Sequence, residues 1–205
     1  MKDAVVVAVH GWAFGAGFWL PLVHALPEAE FHCIDLGFRG APLVPDLPSD
    51  GRRVVAMGHS LGALWLLTER PFRWDAFVGI NAFGRFTDAV APRVLERMGR
   101  RLEDDAFRVV GDFLALCGCT DRPMRLDVPR LGEGLHWLRD RDARRALDND
   151  PAPALFLAAR DDPLVPPAAL GFPEGKARWS ETGGHLLPRT RPEWCAAVIK
   201  EVLGA

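Results

Sequence analysis

Gly58-His59-Ser60-Leu61-Gly62 is the stretch that decides how this chain is read. The pattern Gly-x-Ser-x-Gly is that of a nucleophile elbow, a strained strand-to-helix turn that lifts a serine hydroxyl clear of the backbone. Both glycines fit, because a side chain at either place would collide with the tight turn. Context gives the pattern its meaning, since a bare Gly-x-Ser-x-Gly arises often by chance. Before it, Arg53-Val54-Val55-Ala56-Met57 reads as a short buried strand; after it, Ala63-Leu64-Trp65-Leu66-Leu67 reads as the start of a buried helix.

Outward from the elbow, strands and helices alternate. Apolar runs predict strands at Ala4 to Val9, Phe31 to Asp35, Val54 to Met57, Ala76 to Ile80, Ala154 to Ala159 and Ala177 to Ser180. Helices are expected at Phe18 to Leu26, after Ser60, and at Pro192 to Leu203. Such alternation implies an α/β fold: a mostly parallel sheet of about six strands with helices on both faces. The stretch Gly84 to Asp150 breaks the rhythm. It has no convincing strand, and Val94 to Leu102, Ala106 to Leu116 and Leu131 to Leu147 look helical. The expected organisation is a core formed by residues 1–83 and 151–205, with 84–150 inserted as a helical cap. The Pro- and Gly-rich connection from Gly37 to Arg52 has no helical period, so one crossover is expected to lack its helix.

A serine hydroxyl is a poor nucleophile until a histidine takes its proton, and that histidine needs a carboxylate to fix its tautomer. In hydrolases with this elbow the order along the chain is Ser, acid, His. After the fifth strand stands Arg160-Asp161-Asp162-Pro163-Leu164-Val165-Pro166, and after the sixth Thr182-Gly183-Gly184-His185. Order and placement both match, because catalytic groups gather at the carboxyl ends of parallel strands. Taken singly, Asp162 could be a helix cap and His185 a surface histidine; together with Ser60 they make a set. Two backbone N–H groups should stabilise an oxyanion, one from Leu61 and one from the loop His10-Gly11-Trp12 after the first strand. His10 reads as a residue tying that loop down. His59 is too close along the chain to serve Ser60 as base. His24, His32 and His136 have no partner pattern.

Composition narrows the classes. With 49% apolar and 25% charged residues and a formal charge of −2 over 205 residues, the chain is one ordinary globular domain with no global field. Nucleic acid and membrane surfaces are therefore not expected partners, and no run approaches the roughly 18 apolar residues of a span. The amino end reads as a buried strand rather than a signal peptide. Cys33, Cys117, Cys119 and Cys195 read as buried thiols of a cytoplasmic protein, without the spacing of a metal site. No metal or cofactor is expected.

These residues resemble a known family. The whole chain looks like an α/β-hydrolase-fold serine carboxylesterase, through His10-Gly11-Trp12, the elbow, Asp162 and His185. Within that superfamily it is most similar to the pimeloyl-[acyl-carrier protein] methyl ester esterases of biotin synthesis. The narrower likeness rests on Ala16 and Trp19, on Asp105 through Phe113-Leu114-Ala115-Leu116, on Gly134-Leu135 with Leu138 and Asp142, on Asp162-Pro163-Leu164-Val165-Pro166, and on Pro192-Glu193-Trp194-Cys195. The family pattern Asp-x-Leu-Val-Pro selects Asp162 over Asp161. The resemblance further implies that Trp12 and Leu61 form the oxyanion hole and that Trp12 and Phe113 line the acyl pocket. The Gly37 to Arg52 connection is shorter than is usual in the family.

Basic and acidic residues balance across 84–150, but Arg93, Arg97, Arg100 and Arg101 fall at helical spacing on one face, with Arg108 beyond. Such a stripe is either a solvated face or a landing site for an acidic acyl carrier protein. The expected activity is hydrolysis of a carboxylic ester through an acyl-enzyme, with a methyl ester of a carrier-bound pimeloyl group as the substrate. A thioesterase or acyltransferase would use the same triad, and a non-catalytic hydrolase-like binding protein is the alternative from another class.

Overall fold

The strand β1 (Ala4–Val9) is buried along its whole length, as an unbroken apolar run in the middle of a parallel sheet must be. The computed structural model describes residues 4–47, 51–149, 152–171 and 175–203. Around β1 stand β2 (Glu30–Ile34), β3 (Arg53–His59), β4 (Ala76–Ile80), β5 (Ala154–Ala159) and β6 (Ala177–Ser180). Every pairing is parallel and the order is β2-β1-β3-β4-β5-β6. Helices α1 (Leu20–Ala25), α2 (Leu61–Glu69), α6 (Leu187–Thr190) and α7 (Pro192–Leu203) cover its two faces, α1 packing on α6 and α7. The expected first helix begins as a 3₁₀ turn at Ala16–Trp19, and Pro21 then starts α1. The second strand ends one residue early. Asp35 instead pairs with Leu43 in an isolated antiparallel bridge, which closes the connection after β2. That connection holds no helix among its described residues; positions 48–50 lie outside them.

Between β4 and β5 the chain makes a helical excursion: α3 (Pro92–Leu116), α4 (Val128–Asp140) and α5 (Arg144–Asn149). The expected domain boundary at 150–151 lies outside the described residues. α3 breaks at Asp105 (φ −153°, ψ +81°), whose carboxylate accepts the Arg108 N–H at 3.0 Å and so caps the second half. The single helix expected from Leu131 to Leu147 is in fact two. It starts earlier because Asp127 caps α4 through the Arg130 N–H at 2.9 Å. It stops because Arg141 is extended and Asp142 accepts the Arg144 N–H at 3.0 Å, opening a new helix.

The excursion is fastened to the rest by a few polar holds over apolar packing. Trp12 Nε1 donates to Leu131 O at 2.9 Å, and Asp127 N donates to Phe38 O at 3.0 Å. The Arg141 guanidinium pairs with Glu69 and donates to Thr68 Oγ at 2.8 Å. Asp121 accepts both Arg189 Nη atoms, at 2.8 and 3.1 Å, and lies 3.7 Å from Arg39.

Candidate active site

Parallel register brings the carboxyl ends of β3, β4, β5 and β6 to one edge. His59 pairs with Ile80, Ile80 with Leu157 and Ala159 with Ser180. The ladder continues past the strand tips. Ser60 N donates to Ile80 O at 3.0 Å, Asn81 N to Leu157 O at 2.8 Å and Arg160 N to Ser180 O at 2.9 Å. Residues far apart in the chain thus become neighbours at this edge.

Ser60 is the turn between β3 and α2 and takes φ +52°, ψ −120°, which residues other than glycine rarely adopt. A Cβ on Gly58 would overlap Ala63, and one on Gly62 would overlap the carbonyl oxygen of Val9, so the elbow can be this tight only with glycine at both places. Ser60 Oγ donates to His185 Nε2 at 2.9 Å. His185 Nδ1 donates to Asp162 Oδ2 at 2.8 Å. The bond to Asp162 places the ring proton on Nδ1 and leaves the Nε2 lone pair to Ser60.

Asp162 is held from four directions. Its Oδ1 accepts the N–H groups of Leu164 (2.8 Å) and Val165 (3.1 Å), and its Oδ2 accepts His185 Nδ1 and Asn81 Nδ2 (2.9 Å). Burial pulls its pKa up, but the His185 ring and the two backbone N–H groups outweigh burial and hold it below the usual carboxylate value. Asp161 turns outward and accepts the N–H groups of Gly183 (3.2 Å) and Gly184 (2.8 Å). The structure therefore brings Asp162, not Asp161, to His185.

The two N–H groups expected to face an oxyanion, those of Trp12 and Leu61, have no hydrogen-bond partner among the described residues. Leu61 opens α2, where N–H groups are unpaired within the helix. Just after Trp12, Ala13 takes φ +62° in the loop that follows β1. His10 fastens that loop: its Nδ1 donates to Gly11 O at 2.9 Å and its Nε2 accepts Leu36 N at 3.0 Å.

Phe113 stands edge-on to Trp12, centroids 4.8 Å apart at 88°. Both line a cavity of about 470 Å³ walled by α3, α4 and the Leu164 loop. Its walls are apolar except for Arg101 and Asp112, 3.6 Å apart. Neither Ser60 nor His185 lines it. Of its lining residues, Leu164 is tied to the site, its N–H donating to Asp162.

The five arginines are exposed but do not act as one stripe. Arg101 turns to the cavity, and Arg100 lines a second groove between α3 and α4 beside Glu96 and Glu103. Arg93 and Arg97 face solvent without an ion pair among the described residues, and Arg108 lies beyond the break at Asp105. The four cysteines are free, and burial pushes the Cys195 thiol up to about 12 and the Cys33 thiol up to about 11. No helix of the described residues is long and apolar enough to cross a membrane.

No family model matches the chain. It is 31% identical over 222 residues to the pimeloyl-[acyl-carrier protein] methyl ester esterase of Xanthomonas campestris pv. campestris (strain B100), covering 88% of this chain and 87% of that protein. The chain belongs to this esterase family. The esterase is also 31% identical over 240 residues to the protein of the same name from Stenotrophomonas maltophilia (strain K279a), covering 98% of this chain and 93% of that one. Among solved structures it is similar to the enol-lactonase from Burkholderia xenovorans LB400 (TM-score 0.79, 15% identity, 98% and 92% of the two chains). It is also similar to MenH from S. aureus (TM-score 0.72, 13% identity, 100% and 94%). These structural likenesses establish the α/β-hydrolase fold, and the family makes the chain an esterase of that fold.

Two residues of the site have no role assigned from the sequence: His59, set aside there as a base, and Asn81. His59 is fully buried and donates Nε2–H to the carbonyl oxygen of His185 at 2.7 Å. Asn81, also fully buried, takes φ +46° at the tip of β4. Its signal was present, a polar residue directly after the apolar run Ala76 to Ile80.

Proposed function

We propose that the chain is a serine carboxylesterase working through an acyl-enzyme, with the methyl ester of a medium-chain dicarboxylic acyl group on an acyl carrier protein as its substrate. The hydrogen-bonded line from Ser60 through His185 to Asp162 carries this reading. As Ser60 Oγ attacks the ester carbonyl, its proton passes to His185 Nε2, and Asp162 stabilises the resulting imidazolium. The N–H groups of Trp12 and Leu61 receive the oxyanion. His185 then returns the proton to the leaving alkoxide, methanol departs, and Ser60 holds the acyl group as an ester. Water, giving a proton to His185, attacks that ester, and collapse frees the acid and the Ser60 hydroxyl.

Residues 84–150 act as the cap over residues 1–83 and 151–205. The apolar cavity under α3 suits a methylene chain, with Phe113 and Trp12 against it. The exposed arginines of α3 suit an acidic carrier. The relatives' printed name supports pimeloyl as the acyl group. The test compares methyl pimeloyl-carrier protein with simple methyl esters, alongside fluorophosphonate labelling. Wild type should label once per chain and prefer the carrier-bound ester. Ser60→Ala should not label and should lose roughly 10³-fold or more in kcat. Full activity in a clean Ser60→Ala preparation would end the serine reading, and equal use of all esters would end the carrier reading.

A further inference from the structure

We propose that His59 and Asn81 are positioning residues that hold the His185 segment in register with Ser60 and Asp162. The proposal rests on the reading of those three residues as a catalytic triad. His59 ends β3, and Asn81 directly follows the neighbouring strand β4. His59 Nε2 donates to His185 O at 2.7 Å. Asn81 Nδ2 donates to Gly184 O at 3.2 Å and to Asp162 Oδ2 at 2.9 Å. Two consecutive carbonyls of the segment are therefore gripped from two adjacent strand tips.

The segment needs such grips. Gly183 and Gly184 take φ +138° and +61°, and only a 3₁₀ turn, Gly184–Leu186, carries the histidine. Glycines in these conformations leave the chain many alternatives in the absence of outside restraints. Asp161 restrains Gly183 and Gly184 through their N–H groups from the exposed side, and Asn81 and His59 hold Gly184 and His185 through their carbonyls from the buried side.

Both residues also carry a polar atom that packing alone would not place there. His59 Nδ1 and Asn81 Oδ1 are buried without a hydrogen-bond partner among the described residues. Buried polar atoms are nearly always paired, so two orphans on neighbouring residues mark a place where another requirement prevailed. If His59 merely filled space, an apolar ring would suit its neighbours: Phe18 stacks on it at 4.4 Å and Phe14 lies 6.2 Å away. Only a side chain with a hydrogen-bond donor can satisfy the His185 carbonyl, and an apolar ring has none. The amide of Asn81 is likewise what ties Asp162 to Gly184, whereas its positive φ would also be met by glycine.

The same geometry requires His59 to be neutral. Its ring centre is 5.1 Å from that of His185, so a cation there would oppose the imidazolium that His185 becomes. The titratable groups around it are His185 after β6, Asp162 after β5 and His10 after β1. Burial first, then His185, keeps its pKa well below the usual value.

The test uses His59→Leu, His59→Gln and Asn81→Gly beside Ser60→Ala, with a small soluble ester as substrate. His59→Leu and Asn81→Gly should keep the wild-type KM while kcat and the rate of fluorophosphonate labelling fall by about 10²-fold, the penalty for a slightly misplaced base. His59→Gln keeps an N–H donor and should recover much of the loss. In the wild type, nitrogen NMR should show His59 neutral with its proton on Nε2 throughout the pH range of activity. Wild-type kcat per folded molecule in His59→Leu and Asn81→Gly would overturn the proposal, even with a lowered Tm, since both residues would then be packing only. A wild-type His59 protonated on Nδ1, or titrating within the active range, would overturn it without any variant. Ser60→Ala separates the two failures: turnover there would sink the triad reading itself, whereas an inert Ser60→Ala beside fast His59 and Asn81 variants would sink only this proposal.

Discussion

The strand tips and the helical excursion solve different problems with different means. At the tips, Ser60, Asp162 and His185 are at most 6% exposed, and Asp162 alone receives four hydrogen bonds. In the excursion, the cavity wall is apolar apart from Arg101 and Asp112, and Arg93 and Arg97 of α3 stand in solvent. The comparison teaches where each property of an esterase can be altered. Chemistry depends on angles fixed by backbone ladders and buried bonds, whereas recognition depends on surface and volume that helices can vary without disturbing the ladders.

The largest expected effect falls on the tips. Asp162→Asn should lower kcat by about 10³- to 10⁴-fold, because the amide favours the wrong His185 tautomer. Asp161→Asn, which weakens only an exposed hold on Gly183 and Gly184, should be mild. Steady-state kinetics on folded variants checks this, and the opposite ranking would break the contrast within the strand-tip region itself.

A smaller effect is expected on the excursion. Arg93→Glu with Arg97→Glu should raise KM for carrier-bound ester by ~10-fold and leave small esters untouched, since reversed surface charge acts on encounter. Added salt should erode the wild-type preference, because exposed charges are screened beyond about 8 Å at physiological ionic strength. An equal response from carrier-bound and small esters would reduce these arginines to a solvated face.

The smallest effect is thermodynamic. Burial holds folded His59 well below its ordinary 6.5, so under pH 6.5 the unfolded chain takes up a proton that the folded one refuses. Stability should therefore decline as pH falls below 6.5 toward the folded value, by at most about 1.4 kcal/mol per pH unit, and show no His59 contribution above it. Denaturant unfolding of wild type and His59→Gln should show the slope flattened in the variant. Identical slopes would mean that the strand tips are less dry than the bonds around His59 indicate.

The sheet was legible because strands buried on both faces must be continuous apolar runs, and Ala4 to Val9 or Ala76 to Ile80 admit little else. The members of the candidate triad were legible because their order along the chain carries meaning. His59 and Asn81 were not. Their partners are carbonyls of Gly184 and His185, more than 100 positions away, and backbone acceptors leave no mark on a sequence. The break between α4 and α5 escaped for a local reason. Asp142 competes for the backbone as a cap while the surrounding helical periodicity runs on. The division of the arginines between cavity, groove and solvent depends on how α3 crosses α4, which periodicity alone does not specify.

The parallel sheet also sets a timetable. Ser60 and His185 are separated by 125 positions, and the strands that carry them join an order that closes only when β6 pairs with β5. Contacts of such long range make folding slow and late to complete. During synthesis the elbow can form early, whereas the hydrogen bond from Ser60 to His185 must wait until the 125 positions between them have been made. On the proposed reading of Ser60 and His185, turnover therefore begins only once that bond has closed.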